Sequence, residues 1–250
     1  MRILLLLLIS IFASCSNENS GNKKEQLKVA TAANMQFAIK EIAREFSSKT
    51  TIDCDIIVGS SGKLTAQIEE GAPYDVFISA NMMYPQRLVD NNLTIGKTKV
   101  YAHGKLVMWT IKEDVELGFD ALKCSSIKHI AVANPETAPY GKAALEVLKP
   151  LPYFNQIEHK FVYGESISQT NQFIVTTSAE VGFTALSVVL SPEMKDKGRW
   201  VRVDSTLYSP IKQGAVIIDT KNTASKKFFD FLSSPEARKI LESYGYEVIN

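Results

Sequence analysis

The sequence has little that would support a metal site, a redox motif or a nucleic-acid interface. Its 250 residues include only three cysteines and three histidines, and no two cysteines are spaced as C-x-x-C. The net charge is +1, so no charge excess predicts binding to nucleic acid, and no long basic run predicts a polybasic membrane patch. Because His103, His129 and His159 are scattered along the chain, we expect neither a protein-coordinated metal nor a cofactor.

The two cysteines beyond the N-terminal region give only weak evidence for a disulfide. An exported protein could pair Cys54 with Cys124, but one pair at this spacing carries little information. Cys54 falls in a predicted strand and Cys124 in a predicted loop far along the chain. We therefore favour two unpaired thiols.

The N-terminus has the pattern of an export signal. Arg2 precedes an apolar run at 3–9 that is too short to span a membrane comfortably, and small residues follow it. The segment Phe12-Ala13-Ser14-Cys15 resembles a bacterial lipobox, in which the cysteine is lipidated and becomes the mature N-terminus; plain secretion is the alternative. We predict a signal peptide at 1–14, a lipidated Cys15 with a polar tether at 15–26, and a periplasmic or cell-surface location on a membrane anchor.

The rest of the chain alternates between short apolar strands and helical segments. Such alternation predicts an α/β fold in which helices cover both faces of mostly parallel sheets. Because the alternation is interrupted near 105–111 and resumes, we predict two lobes, 27–106 plus 212–250 and 107–211, with a ligand cleft between them. The predicted strands are 27–31, 52–58, 75–79, 129–133, 159–163, 181–185 and 214–218, and the predicted helices are 34–47, 63–70, 85–90, 142–148 and 168–176.

Four strand-to-helix turns carry one kind of chemistry. They lie at 31–34, 59–62, 134–141 and 164–168, and each offers backbone N–H groups with neutral hydroxyl, phenol or amide donors. Ligands of open parallel sheets bind beyond the carboxyl ends of the strands. Each helix start acts as about half a positive charge, so four starts facing a cleft would offset about two negative charges. This pattern favours a small dianion held without lysine or arginine.

Structural explanations exist for the individual residues at these turns. Asn34, Ser60 and Ser61 are each also explained as ordinary helix caps. Lys63 is expected on a solvated helix face, and Glu165 is expected to cap a helix or face solvent. It is therefore the combination of four turns that indicates an anion site.

Several long segments resemble the molybdate-binding proteins of bacterial ABC importers, which have the type II periplasmic binding protein fold. The resemblance runs from about Leu27 to Tyr246. It is carried by "KVATAAN", "GSSGKLTAQIEEGAPYDVFISA", "GKLVMWT", "HIAVANPETAPYGKAALEVL" and "ESYGYEV". Some members have Ser in place of Asn34 and a Tyr near Ala185, and Asn81 replaces an Asp that often follows "FISA".

The resemblance implies a set of oxyanion-binding residues. Asn34 would donate from the first turn beside the Ala33 backbone, and Ser61 would donate through its hydroxyl and amide groups with help from Ser60. The second lobe would supply the Tyr140 phenol and the Ile167 backbone N–H. Within this family, the molybdenum is bound as its oxyanion and not as a coordinated cation.

The expected function is that of a monomeric, non-enzymatic solute-binding protein that delivers molybdate, and tungstate as well, to an ABC permease and its ATPase. A fully deprotonated tetrahedral dianion only accepts hydrogen bonds, which suits an all-donor cleft, whereas protonated phosphate would seek an acceptor. Three alternatives remain open: a binding protein for another oxyanion such as sulfate, a serine hydrolase using Ser60 or Ser61, and a purely structural surface lipoprotein.

Overall fold

A computed structural model describes residues 26–218 and 222–249 of the chain. The predicted signal peptide, the lipidation site at Cys15 and nearly all of the predicted tether lie outside the described residues. Within the described part, no helix is both long enough and apolar enough to cross a bilayer.

The described ranges form eleven strands and nine α-helices. The strands are β1 (Gln26–Ala32), β2 (Asp53–Gly59), β3 (Val76–Ser79), β4 (Ile95–Gly104), β5 (Leu106–Thr110), β6 (Ile130–Ala133), β7 (Phe161–Gly164), β8 (Val181–Ala185), β9 (Arg199–Arg202), β10 (Ile211–Ile217) and β11 (Glu247–Val248). The helices are α1 (Ala38–Thr50), α2 (Ser61–Glu69), α3 (Met83–Asp90), α4 (Pro139–Leu148), α5 (Phe154–Ile157), α6 (Ile167–Val175), α7 (Leu186–Val189), α8 (Ala224–Phe231) and α9 (Pro235–Ser243).

The strands form two sheets, and each sheet with its helices is one lobe. Lobe 1 contains the six-stranded sheet, in the order β11-β4-β10-β3-β1-β2, with α1, α2, α3, α8 and α9. Lobe 2 contains the five-stranded sheet, in the order β7-β6-β8-β5-β9, with α4 to α7. The predicted two-lobe α/β fold is confirmed.

Parallel pairing is confined to the part of each sheet that is built from strand–helix–strand units. In lobe 1, β1 pairs in parallel with β2 and β3, while β10 runs antiparallel to β3 and β4. In lobe 2, β6 pairs in parallel with β7 and β8, while β5 runs antiparallel to β8 and β9. The chain crosses between the lobes twice, from β4 to β5 and from β9 to β10, and the antiparallel pairs involve these four strands.

The core of lobe 1 lies on both faces of its sheet because side chains alternate along each strand. On β3, Val76 and Ile78 pack on the face covered by Phe46 and Phe228, while Phe77 packs on the other face. Lobe 2 has its own core around the fully buried Trp109. Two buried strand faces in each lobe leave the carboxyl ends of the parallel strands as the place where loops can form a site.

The first predicted helix is wrong at its start. The chain forms a three-residue 3-10 turn at Ala33–Met35, and α1 begins only at Ala38. Tertiary hydrogen bonds of Asn34, described below, hold this turn apart from the helix. The long strand β4 was not predicted, because its polar sequence IGKTKVYAHG is stabilised by pairing with β10 and not by its own apolar pattern.

Candidate functional site

A small cavity lies where the two lobes meet, at the carboxyl ends of the parallel strands. Its volume is about 10 Å³, which is close to the space that one water molecule needs. None of the residues around it carries a charge. The lining residues are Ala32, Ala33, Asn34, Ser60, Ser61 and Ala80 from lobe 1, and Ala138, Pro139, Tyr140 and Ile167 from lobe 2.

All six of the predicted oxyanion-binding residues line this one cavity, although they come from four separate turns. Larger grooves exist elsewhere on the surface. One of about 540 Å³ lies between α1 and α9 and is lined by charged side chains such as Glu41, Arg44 and Lys239. That groove carries three carboxylates, of Glu41, Glu45 and Glu236, which would repel an anion, so the cavity between the lobes is the candidate site.

Ser60 and Ser61 are placed at the start of α2 so that their hydroxyl hydrogens are free to donate. Ser60 is the N-cap of α2, and its Oγ accepts the Lys63 N–H at 3.3 Å. The Oγ of Ser61 accepts the N–H of Ala80 at 3.0 Å, just beyond β3. Because each of these bonds uses an oxygen lone pair, the O–H of each serine can point into the cavity. The helix-cap interpretation is confirmed for Ser60, and capping through Oγ still leaves its O–H free to donate to a ligand.

The backbone at the start of α2 adds a further donor. The Gly62 N–H is already bonded to the Thr137 carbonyl of lobe 2 at 2.9 Å. The Lys63 N–H is bonded to Ser60 Oγ, which leaves the N–H of Ser61, a residue that lines the cavity, as a first-turn donor without an intrahelical acceptor. Ile167 occupies the equivalent position at the start of α6, where Ser166 caps the N–H of Gln169.

Tyr140 brings a buried phenol to the cavity wall. Pro139 is the first residue of α4, which suits a position whose N–H would be unpaired. The Tyr140 hydroxyl is buried and has no hydrogen-bond partner within the described residues. It lies against Gly104, where any larger residue would place its Cβ on the hydroxyl oxygen. Burial raises the pKa of Tyr140 well above its ordinary value, so the phenol keeps its proton and remains a donor.

The side chain of Asn34 is used differently from what the resemblance implied. Its Nδ2 donates to Gln213 Oε1 and to the Tyr246 hydroxyl, each at 2.8 Å, so both amide hydrogens are engaged inside lobe 1. Asn34 borders the cavity, but its remaining donor there is the backbone N–H of the 3-10 turn, beside that of Ala33. This turn is too short to contribute the dipole of a full helix, so three helix starts, and not four, converge on the site.

Lys63 and Glu165 form an ion pair across the mouth of the cleft, at 2.9 Å between Nζ and Oε1. Their side chains are 51% and 53% exposed, as expected for solvated positions, and neither residue lines the cavity. Both charges lie at turns that are predicted to face each other, so their opposite signs were the sequence signal for this pairing.

Three residues at the site were missed by sequence reasoning. Gln213, Tyr246 and Ser187 are buried behind the Asn34 turn and hydrogen-bonded to it. The segment "ESYGYEV" pointed to the region of Tyr246, but no local pattern marked Gln213 or Ser187.

The remaining reactive groups lie away from the cavity. Cys54 and Cys124 are both free, and burial raises the pKa of the Cys54 thiol to about 12. Within the described ranges, no group of three or more His, Cys, Asp or Glu side chains is arranged to hold a metal ion. The wall of the cavity includes neither a histidine nor a carboxylate that could act as a base for Ser60 or Ser61.

Comparison with known proteins gives consistent matches over nearly the whole described chain. The model of the family described as bacterial extracellular solute-binding protein matches residues 27–247. The molybdate-binding protein ModA of Rhodobacter capsulatus is 40% identical over 220 residues, covering 87% of this chain and 86% of the relative. The protein of the same name from Azotobacter vinelandii is 39% identical over 226 residues, covering 88% and 89%.

The fold agrees with a solved structure as well. The periplasmic molybdate-binding protein of Azotobacter vinelandii superposes with a TM-score of 0.84 at 32% sequence identity, covering 90% of this chain and 100% of that structure. The similarity therefore extends over both lobes and the cavity between them.

Proposed function

This chain belongs to the family of bacterial extracellular solute-binding proteins, and we propose that its interlobe cavity captures molybdate and hands it to an ABC importer. The observation that carries the proposal is the cavity wall, in which neutral donors from both lobes converge and no charged group takes part. The similarity to proteins named molybdate-binding supports the choice of ion.

The chemistry of the wall suits a fully deprotonated tetrahedral dianion. Ser60 and Ser61 contribute O–H groups, Tyr140 contributes a phenol, and the turns at Ala33, Asn34, Ser61 and Ile167 contribute backbone N–H groups. The starts of α2, α4 and α6 add about 1.5 positive charges in total. Such a shell offsets most of the dianion's charge and avoids the desolvation cost of burying lysine or arginine beside it.

The cavity has space for about one water molecule, which is too little for a tetrahedral oxyanion, so capture requires the lobes to separate and then close around the ion over a wider gap. We propose lobe boundaries at 27–106 plus 212–250 and 107–211, since the chain leaves the first sheet after Gly104 and returns to it at Ile211. Closure would then complete the donor shell, because each lobe holds only part of it.

We further propose that the protein is not an enzyme, that it works as a monomer, and that Cys15 anchors it by a lipid at the outer side of a membrane. We also propose that its partners are a membrane permease and the ATPase that drives that permease. A hydrolase mechanism at Ser60 or Ser61 lacks support, because no histidine or carboxylate lines the cavity.

Calorimetric titration of the unlipidated chain with molybdate, tungstate, sulfate and phosphate tests the proposal. We expect molybdate and tungstate to bind with micromolar or lower Kd and protonated phosphate to bind far more weakly, since no carboxylate on the wall would accept the proton of phosphate. Tight binding of sulfate with no binding of molybdate would reassign the ligand. No binding of any of the four ions would overturn the function itself.

A further inference from the structure

A ring of hydrogen bonds joins the Asn34 turn to both lobes. Asn34 Nδ2 donates to the Tyr246 hydroxyl at 2.8 Å, and this hydroxyl lies 3.1 Å from Ser187 Oγ. Ser187 Oγ donates to the Asn34 carbonyl oxygen at 2.8 Å. The Tyr246 hydroxyl also lies 3.1 Å from the Asn34 carbonyl oxygen, so its one hydrogen is shared between that oxygen and Ser187 Oγ; when it is donated to Ser187, each hydroxyl in the ring donates once and accepts once. Chains of this kind polarise one another and are strongest when they are complete.

Gln213 fixes the direction of this ring. Its Nε2 donates to the carbonyl oxygens of Ile211 at 3.1 Å and Ala80 at 3.4 Å, so its Oε1 must face Asn34. Asn34 therefore has to present Nδ2, and not Oδ1, toward Gln213 and Tyr246. The orientation of the Asn34 carboxamide is thus set by groups that do not touch the cavity.

The ring also crosses between the lobes. Asn34, Gln213 and Tyr246 belong to lobe 1, whereas Ser187 lies in α7 of lobe 2. All four residues are at most 4% exposed, so the ring is sealed from water behind the cavity. A separation of the lobes that carries Ser187 away from Tyr246 and from the Asn34 carbonyl would break the ring.

We infer that Tyr246 is a positioning residue of the oxyanion site: it holds the turn that presents the Ala33 and Asn34 N–H groups and ties this turn to lobe 2 through Ser187 in the closed state. The inference rests on the proposed function for its ligand. It adds to that function a residue that contributes to retention of the ion without lining the cavity.

The test compares Tyr246→Phe, Ser187→Ala and the double variant with wild type. Each single variant should raise the Kd for molybdate by about two- to tenfold, the usual range for losing one hydrogen bond. The increase should arise in the dissociation rate, measured by chasing radiolabelled molybdate with unlabelled ion, while the association rate stays within about twofold, since the ring exists only after closure. The double variant should be no weaker than either single one, because both break the same ring.

Tyr101→Phe is the matched control. Tyr101 is a buried tyrosine of lobe 1 whose hydroxyl has no hydrogen-bond partner among the described residues, and it does not line the cavity. Its loss of a hydroxyl should leave Kd and both rates unchanged. An unaltered dissociation rate in Tyr246→Phe, or fully additive effects in the double variant, would overturn the inference.

The titration of wild type separates this inference from the proposed function. If the wild-type chain binds none of the oxyanions, the proposed function fails and the inference, which rests on it, fails with it. If wild type binds molybdate and Tyr246→Phe releases the ion at the wild-type rate, the proposed function stands and the inference alone fails.

Discussion

Ser60 and Ser61 are neighbours in the chain, yet their hydroxyl oxygens accept backbone N–H groups from different elements, α2 and the segment after β3. These bonds hold both hydroxyls in place with their hydrogens free. A donor that is already oriented loses little entropy when it binds an ion, which is the general advantage of preorganisation. The same holds for the Tyr140 phenol, which is buried between rigid neighbours.

Replacing Ser61 by alanine should weaken molybdate binding by about 1–3 kcal/mol, because a donor to a charged ligand is lost. The free energy of unfolding should also fall, since the Ala80 N–H loses its acceptor. Ser225→Ala is the matched control: Ser225 is equally buried, its hydroxyl has no hydrogen-bond partner among the described residues, and it does not line the cavity. Calorimetry measures the molybdate affinity of both variants, and chemical denaturation measures their free energy of unfolding. An affinity of Ser61→Ala equal to that of Ser225→Ala would place Ser61 outside the binding shell.

Alkaline pH should destabilise the protein before it weakens binding. Burial raises the pKa values of Tyr101, Tyr140 and Tyr246 above the ordinary value of 10.0. The folded state then keeps protons that the unfolded state loses, so the stability from these groups is complete below pH 10.0 and declines as the pH rises above it. Denaturation curves from about pH 8 to about pH 11 measure this decline, which Tyr101→Phe should reduce. Molybdate affinity should be constant from about pH 7 to about pH 9; a steady loss over that range would indicate a titrating group in the site.

Ser60, Ser61 and Tyr140 were readable from the sequence as candidates because they lie at turns that directly follow predicted strands, where capping and turn chemistry is local. Ile167 was named only through the family resemblance. The partners of Asn34 were not readable, because Gln213 and Tyr246 are 179 and 212 residues away in sequence. A side chain with donor and acceptor groups has no predictable direction until such distant partners are known.

Among the elements, α2, α4 and α6 contribute most to the site because their N-termini all meet at one cavity. The carboxyl-terminal ends of these helices were predictable to within about one residue from apolar spacing and from Gly71, whose φ of +88° follows α2, whereas α4 begins at Pro139, before the predicted start at 142. The 3-10 turn at Ala33–Met35 was not predictable, since the apolar spacing of α1 continues through it. The hydrogen bonds of Asn34 to distant residues, and not a local backbone preference, separate this 3-10 turn from α1.

The ion pair between α2 and the turn before α6 should contribute little to binding. Lys63→Gln or Glu165→Gln should change the Kd for molybdate by less than about fivefold, since exposed pairs are worth about 0–1 kcal/mol and are screened by salt. Titrations at low and high potassium chloride measure this, and the small effect should shrink further at high salt. Loss of binding in Lys63→Gln with normal binding in Glu165→Gln would show that a lysine, and not the neutral donors, holds the ion.

At the scale of the whole molecule, the structure is that of a closed cleft. The Tyr84 hydroxyl donates to the Glu136 carbonyl at 2.9 Å, and the Ser168 hydroxyl donates to Gln36 Oε1 at 2.7 Å, both across the gap between lobes. The two-lobe arrangement was predictable because the α/β alternation stops and resumes. The size of the cavity was not, since it depends on how closely these surface side chains meet.

Small-angle X-ray scattering should show a smaller radius of gyration with molybdate than without it. The contacts across the gap form only in the closed state, so an ion that binds to both lobes shifts the population toward that state. Sulfate at equal concentration serves as a comparison ion. An unchanged radius in saturating molybdate would mean that the lobes do not move on binding.

A crystal structure of the chain with molybdate tests the central claim most directly, namely that uncharged donors from both lobes enclose the ion. We predict that its oxygens lie about 2.7–3.2 Å from the hydroxyls of Ser61 and Tyr140 and from the Ile167 backbone N–H. No lysine or arginine should contact the ion. An ion bound outside this cavity, or held by a cationic side chain, would contradict the account.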